Sequence, residues 1–341
     1  MHLCSRSTRL LRALLPVACS AALLLGLSGL ASAQTTTLHK DYQVVTSTGA
    51  SAWTGTGTVV MTGVVINNAS DMLNYSSASP QWQVYFQAVD ANDFGGTAMY
   101  MRRYHPGSGS DLFPDASTPN WIGEMTRLNY PVYTVTGEAV TEPLRRGDLI
   151  QVTANAPGMF FNGKRNVNTM HKGPASSYEP DESYADYLFS IVILRRDVEL
   201  TASEIALSAL KDVDNNFIFD ASRLTGCEHY QGSLVHLENL LLDNPGDWAL
   251  DGTVLVRQGD LTFPMKLGID SNLLSIDAAL LATTPFSVTA ILDQESSDLM
   301  AGYRLWLTNA GDLTVVPEPG TVLLVLAGVF ALLPLRRRNC R

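Results

Sequence analysis

Cysteine is scarce in this chain: four in 341 residues, Cys4, Cys19, Cys227 and Cys340, with no C-x-x-C pair among them. That spacing excludes the paired-thiolate zinc sites. Histidine offers no substitute. His39, His105, His171, His229 and His236 contain no His-Glu-x-x-His motif, and only pairs stand close, such as His236 with Glu238 or the compact Cys227-Glu228-His229. A catalytic metal needs three converging ligands. Gly-x-Ser-x-Gly elbows and complete Gly-x-x-x-x-Gly-Lys-Ser/Thr loops are both missing, which removes the commonest nucleophile and phosphate-cradling signatures. Positive charge is short as well: 23 Lys and Arg stand against 33 Asp and Glu, a net charge of −10. Such a balance repels polyanions, so nucleic acid is a disfavoured partner. In so acidic a chain, neighbouring acids such as Asp181/Glu182 and Asp90/Asp93 are expected from composition and need no glycosidase pair to explain them. No catalytic residue and no resident cofactor follows from these residues.

What is present lies first at the two ends. Arg6, Arg9 and Arg12 precede an apolar stretch from Leu14 to Leu30 and the small-residue site Ala31-Ser32-Ala33. That is the build of a secretory signal peptide over residues 1–33, with cleavage between Ala33 and Gln34. At the other end Val316-Pro317-Glu318-Pro319-Gly320 leads into an uncharged apolar run of 15 residues, 321–335, followed by Arg336-Arg337-Arg338. As a helix the run reaches about 22 Å at ~1.5 Å per residue, a marginal span for a hydrocarbon core of about 30 Å. The arginines behind it favour the cytoplasmic side, leaving the rest of the chain across the inner membrane.

Those three elements in that order resemble the PEP-CTERM sorting tail, here residues 316–341. The resemblance implies that Pro317, Glu318 and Pro319 are recognised by a membrane-embedded exosortase, with Arg336, Arg337 and Arg338 as a retention signal. It implies a destination of membrane anchorage, then cell envelope or extracellular matrix. It implies nothing about activity.

Setting aside Arg6, Arg9 and Arg12 at the front, and Glu318, Arg336, Arg337, Arg338 and Arg341 at the back, leaves 16 basic and 32 acidic residues in 34–316, a net charge of −16. Cys227 is then the lone cysteine, so no intramolecular disulfide is available there. Period-2 alternation rich in β-branched and aromatic residues dominates both halves, predicting a mostly-β protein. In 34–198 the runs Thr58–Ile66 (broken by Gly63), Gln81–Asp90, Gly96–Tyr104, Leu149–Ala154, Gly163–Thr169 and Leu188–Leu194 read as strands, with a Pro/Gly/Ser-rich insertion over 105–143. In 224–315 the runs Ser233–Leu241, Thr253–Arg257, Leu261–Leu267, Phe286–Leu292 and Gly302–Leu307 repeat that order, with a short helix expected over Ser271–Leu281. Five strands, a bent first strand, and a helix or insertion between the third and fourth are the plan of the Greek-key barrel called the OB-fold. The expectation is two tandem OB-like barrels. Between them, over 199–223, Thr201 and Glu204 form a capping-box pattern ahead of Ile205, Ala209 and Leu210, which predicts a helical linker. The second half also resembles OB-like modules that accompany extracellular nucleases, around Tyr303-Arg304-Leu305-Trp306 and Asp312.

Two places invite ligands. Asp212, Asp214, Asn216 and Asp220 put oxygens at positions one, three, five and nine of a loop, the donor pattern a Ca²⁺ ion takes. Phe217 stands where the sharp turn needs Gly, and Arg223 where a bidentate Glu belongs, so the EF-hand reading fails at its two most demanding positions. An Asx-rich turn and a looser Ca²⁺ site both remain open. The second place is the outer face of the first barrel: Tyr85 and Gln87 share one side of a strand whose other side, Val84, Phe86 and Ala88, suits a core. With Tyr100, Arg102 and Trp121 they would form a polar-aromatic platform for a polymer, and the acidic body favours a glycan such as exopolysaccharide over DNA. The expected function is non-catalytic polymer binding; the alternative is an accessory part of an extracellular nuclease or other metal-dependent hydrolase system.

Overall fold

The computed structural model describes residues 36–68, 71–72, 81–102, 132–134, 144–155, 158–167 and 189–316. Ala31, Ala33 and Gln34 of the cleavage site, Trp121, and the tail residues Pro317, Glu318, Pro319, Arg336, Arg337 and Arg338 lie outside them, as do the expected signal helix and membrane span. Among the described residues no helix is long and apolar enough to cross a membrane.

The protein is mostly β, and its strands fall into two sheets. The first contains β1 (Thr58–Val65), β2 (Gln81–Ala88), β3 (Gly96–Arg102), β4 (Val132–Thr134), β5 (Leu149–Asn155), β6 (Met159–Phe161), β7 (Lys164–Asn166) and β8 (Phe189–Arg195). Their order is β4-β8-β5-β1-β2-β3-β7-β6, with β3 and β7 parallel. Strand β1, a run of Val and Met, is buried on both faces, the pattern of a strand covered from two sides. It is not broken at Gly63 as the sequence suggested. It pairs with β5 from Thr58 to Val64 and takes up β2 only from Gly63 onward. A side chain at 63 would meet the Gln87 carbonyl oxygen at 2.6 Å and His39 Nε2 at 2.9 Å, so glycine lets the strand pass beneath that imidazole.

The second sheet contains β9 (Ser203–Glu204), β10 (Leu234–Leu242), β11 (Thr253–Gln258), β12 (Leu261–Leu267), β13 (Phe286–Gln294), β14 (Tyr303–Leu307) and β15 (Leu313–Val315). Five of them close a barrel, β10-β11-β12-β14-β13 and back to β10, with β12 and β14 parallel. That strand order is consistent with an OB-like fold. Strand β10 makes closure possible by bending: its register shifts between Leu237 and Leu240, and Asn239 sits at φ 56°. Its first half then pairs with β13 and its last residues with β11. Alternate residues point inward, among them Val254 and Val256, Phe263 and Met265, and Val288 and Ala290. At this level of burial, truncating Phe263 to Ala would cost roughly 3–5 kcal/mol.

The linker helix expected over 199–223 does not form. Ser203 and Glu204 pair in parallel with Val235 and His236, Ile205 N–H donates to the His236 carbonyl, and only a single 3-10 turn follows, Leu207–Ala209. Leu207 and Leu210 drop fully into the barrel core. Strand pairing satisfies the backbone while two leucines are buried, and that outweighs the weak local preference of a capping box. The helix expected over Ser271–Leu281 is split. Asp270 caps a 3-10 turn, Ser271–Ser275, and Asp277 restarts a short α-helix, Ala278–Leu281, by accepting from the N–H groups of Ala279 and Leu280. A second short helix, Gly226–Tyr230, precedes β10. All described residues fall within one compact unit.

A candidate binding cleft at the seam

The outer faces of the two sheets pack on each other. Val64, Ile66, Met72, Tyr85 and Ala98 meet Leu234, Ile291 and Trp306 in a buried apolar cluster. This places the expected ligand platform. Tyr85 and Gln87 do lie on the opposite side from the core residues Val84 and Phe86, but Tyr85 is 2% and Gln87 6% exposed. The second half of the chain covers that face. Gln87 Nε2 donates to the Thr201 carbonyl at 2.8 Å, and its Oε1 accepts from Leu234 N–H at 3.0 Å. The correction is one of occupancy: at Tyr85 and Gln87 the expected ligand face is packed into the seam. Tyr100 and Arg102 stand in β3 opposite Gln83 and Gln81.

Two buried charge networks hold the seam. In the first, Asp293, wholly buried on β13, accepts from the Tyr85 hydroxyl, from Lys164 Nζ at 2.6 Å and from Arg304 Nη2 at 2.8 Å. Burial alone would raise the Asp293 pKa; the two cations reverse this and hold the carboxylate below its usual range. Burial and the adjacent Asp293 charge push the Tyr85 phenol well up, so it stays a donor. Glu295 joins at the rim, 2.9 Å from Lys164. In the second network Glu228, also wholly buried, accepts from Tyr303 Oη at 2.5 Å and sits 3.4 Å from Arg223 Nη1. Burial raises its pKa despite the guanidinium. Arg223 Nη1 also donates to the Gln43 carbonyl at 2.7 Å, while Nε and Nη2 find no partner among the described residues. Gln43 in turn bonds Arg165 through both backbone groups, accepting from its N–H at 2.9 Å and donating to its carbonyl at 2.6 Å. The segment after residue 36 is thus a strap touching both halves.

Of these groups Tyr85 alone was singled out from sequence as part of a site, as a ligand-facing residue and not as a member of a buried network. One signal was there: β13 continues two residues past its apolar run, into Asp293 and Gln294, and both are fully buried. Polar residues at the end of a hydrophobic strand, on a chain with another barrel to pack, mark a partnered face.

The loop of the Ca²⁺ expectation divides into two turns. Asp212 Oδ1 accepts from Asp214 N–H and Asn216 N–H, and Oδ2 from Asn216 Nδ2. Asp220 accepts from Ser222, Leu224 and Thr225, and the Ser222 hydroxyl leads the set of donors that hold its pKa down at about 2. Phe217, at the position where a calcium loop needs glycine, packs edge-on against Phe263 and Tyr303 instead. Among the described residues no three His, Cys, Asp or Glu side chains converge. Of the pairs noted above, His236 Nε2 lies 3.9 Å from both Glu204 and Glu238 at the surface. Cys227 is buried and donates to the Leu210 carbonyl.

Where the seam reaches solvent it leaves an open cleft of about 190 Å³. Gln87, Asp93, Phe94 and Gly95 line one side, and Thr201, Ser203, His229, Tyr230 and Ser233 the other. Phe94 and His229 stack with ring centroids 4.4 Å apart, and Tyr230 meets His229 edge-on at 4.7 Å. His229 Nδ1 donates to the Arg223 carbonyl at 2.9 Å, which leaves Nε2 as an acceptor in the neutral ring. Asp93 is committed inward, bonding the N–H groups of His39 and Lys40. The walls thus offer aromatic faces, hydroxyls and a carboxamide. These are groups suited to hydrogen bonding and stacking.

No family model and no curated protein matches the chain. Among solved structures it is similar to one described as a replication protein A heterotrimer bound to ssDNA, with 8% identity over 86% of this chain and 72% of that one, at a TM-score of 0.22.

Proposed function

We propose that the chain is an exported, exosortase-sorted protein of the envelope or extracellular matrix. In this reading its two halves are OB-fold modules joined into one body, and it binds an extracellular polymer, such as exopolysaccharide, without catalysis. The observation that carries the binding reading is the seam cleft, where Phe94, His229 and Tyr230 present ring faces beside Ser203, Ser233 and Gln87. Sugar rings are held by such stacking and hydrogen bonding, while phosphate backbones need cations that a body of net charge −16 lacks. The module reading is supported by the strand order of the closed barrel and by the order β5-β1-β2-β3-β7 in the first sheet, which follows the same plan left open.

The test is a glycan-array screen with a single-stranded DNA arm, using residues 34–316. Glycan binding that falls at least tenfold in Phe94→Ala and Tyr230→Ala, with unchanged melting, is the expected result. Binding to no glycan, or binding indifferent to both substitutions, would sink the cleft as the site.

A further inference from the structure

We infer that the end of the second barrel from which the chain leaves β15 is a docking surface for a lipid bilayer. This rests on the reading above that the apolar run 321–335 enters a membrane.

The geometry of that end supplies the argument. Val316 is the last described residue; its N–H donates to the Pro285 carbonyl at 2.9 Å, and Thr284 N–H donates to the Leu280 carbonyl at 2.9 Å. The exit point is therefore tied through Thr284 and Pro285 to the helix Ala278–Leu281. Along this stretch large apolar side chains face solvent: Val316 is 40%, Leu280 43% and, in the preceding 3-10 turn, Leu274 55% exposed. Trp248 belongs to the same end, half-buried, with Nε1 donating to the Leu273 carbonyl at 2.9 Å. An amphipathic indole beside exposed leucines is the composition of a membrane-interface contact.

The tether length keeps this end close to the bilayer. Only four residues, 317–320, separate Val316 from the apolar run. Fully extended they reach about 14 Å at ~3.5 Å each. A barrel end held that close to the hydrocarbon brings its exposed leucines within reach of an apolar partner. Of the carboxylates at this end, Asp270 and Asp277 cap their own turns, and exposed Asp247, beside Trp248, accepts from Asn244 Nδ2 at 2.6 Å. The docking surface would hold Pro317, Glu318 and Pro319 at the bilayer face, within reach of a protease embedded there.

The experiment uses the chain from Gln34 to Arg341 with Cys340→Ser, so that buried Cys227 is the only native thiol, reconstituted in phosphatidylcholine vesicles. A bimane label goes at Leu280→Cys or, as control, at Met300→Cys. Met300 is 44% exposed in the turn after β13. Because β13 runs nine residues from Phe286 beside the exit to Gln294, that turn lies about 26 Å away at ~3.3 Å per residue. Quenching by doxyl-labelled lipid is expected to be at least threefold stronger at 280 than at 300, and to be lost at 280 when Leu274→Asn and Trp248→Ser are added. Equal, weak quenching at both positions in protein that floats with the vesicles would overturn the docking surface while leaving the tail reading intact. Protein that fails to float overturns both.

Discussion

The hydroxyl of Tyr85 donates a hydrogen bond to the carboxylate of Asp293, joining β2 to β13 across 208 residues of chain. Around that contact the protein has placed one buried acid between two cations, and the consequences can be measured.

Asp293→Asn removes the charge that Lys164 and Arg304 share, leaving both cations without a buried counter-ion. The expected loss is about 3–5 kcal/mol, read as a lower denaturant midpoint. Adding Lys164→Met should restore part of it, because the uncompensated charge goes too. A single-variant loss under about 1 kcal/mol would show that the seam does not depend on this network.

Gly96 and Gly232 meet back to back where the halves join: Gly96 N–H donates to the Gln231 carbonyl, and a side chain on Gly96 would land on the Gly232 carbonyl oxygen. Both neighbours are backbone, so neither can swing aside. Gly96→Ala is expected to lower stability by more than ~2 kcal/mol and to open the seam to limited proteolysis. Gly246→Ala, whose added carbon would meet nothing within 4 Å, is the control.

His39, within the strap, is buried. Its Nε2–H donates to the Thr62 carbonyl at 3.2 Å and Nδ1 accepts from the Thr97 hydroxyl at 2.9 Å, an arrangement for the neutral ring. Burial first of all lowers its pKa from 6.5 to about 4, with Arg223 adding to the fall and Asp93 opposing it. The unfolded chain therefore binds the proton more readily, and stability falls as pH drops from 6.5 towards 4, by on the order of 3 kcal/mol. Melting curves across that window should show the slope in the native chain and a shallower one in His39→Gln. Parallel slopes would clear His39 of the effect.

Millimolar Ca²⁺ should leave the melting temperature unchanged, because Asp212 and Asp220 already spend their oxygens on local N–H and hydroxyl donors. In Ca²⁺-free buffer, Asp212→Ala should lower the melting temperature slightly through loss of the Asx turn. A rise in melting temperature with Ca²⁺ would instead assign a cation to the loop.

Alternation along single strands was enough to mark the longer strands of both halves, since Val, Ile, Phe and Tyr at period 2 write the pleat directly into the chain; the two- and three-residue strands at 132–134, 159–161, 203–204 and 313–315 are too short to show it. It separated Tyr85 and Gln87 from Val84 and Phe86 correctly. What it could not say was what lies against the second face, because a half-polar surface looks the same whether water, a polymer or another barrel covers it. The linker failed for a related reason: Thr201 to Glu204 satisfies a helix cap locally, while the pairing of Ser203 with Val235 depends on a strand that begins 30 residues later. Phe94 and His229 were legible only apart; 135 positions separate the two rings that meet in the cleft.

The strap has a bearing on the order of events. Gln43 is among the first residues to follow the expected cleavage site, yet its carbonyl is held by Arg223 and its side chain by Arg165. Chain that emerges first from synthesis or from a translocation channel must wait for residues that emerge 122 and 180 positions later. Contacts of such long range close slowly. The seam should therefore form as a late, single event after the second barrel is complete, so that a chain halted partway exposes the face of Tyr85 and Gln87 and becomes a target for quality control.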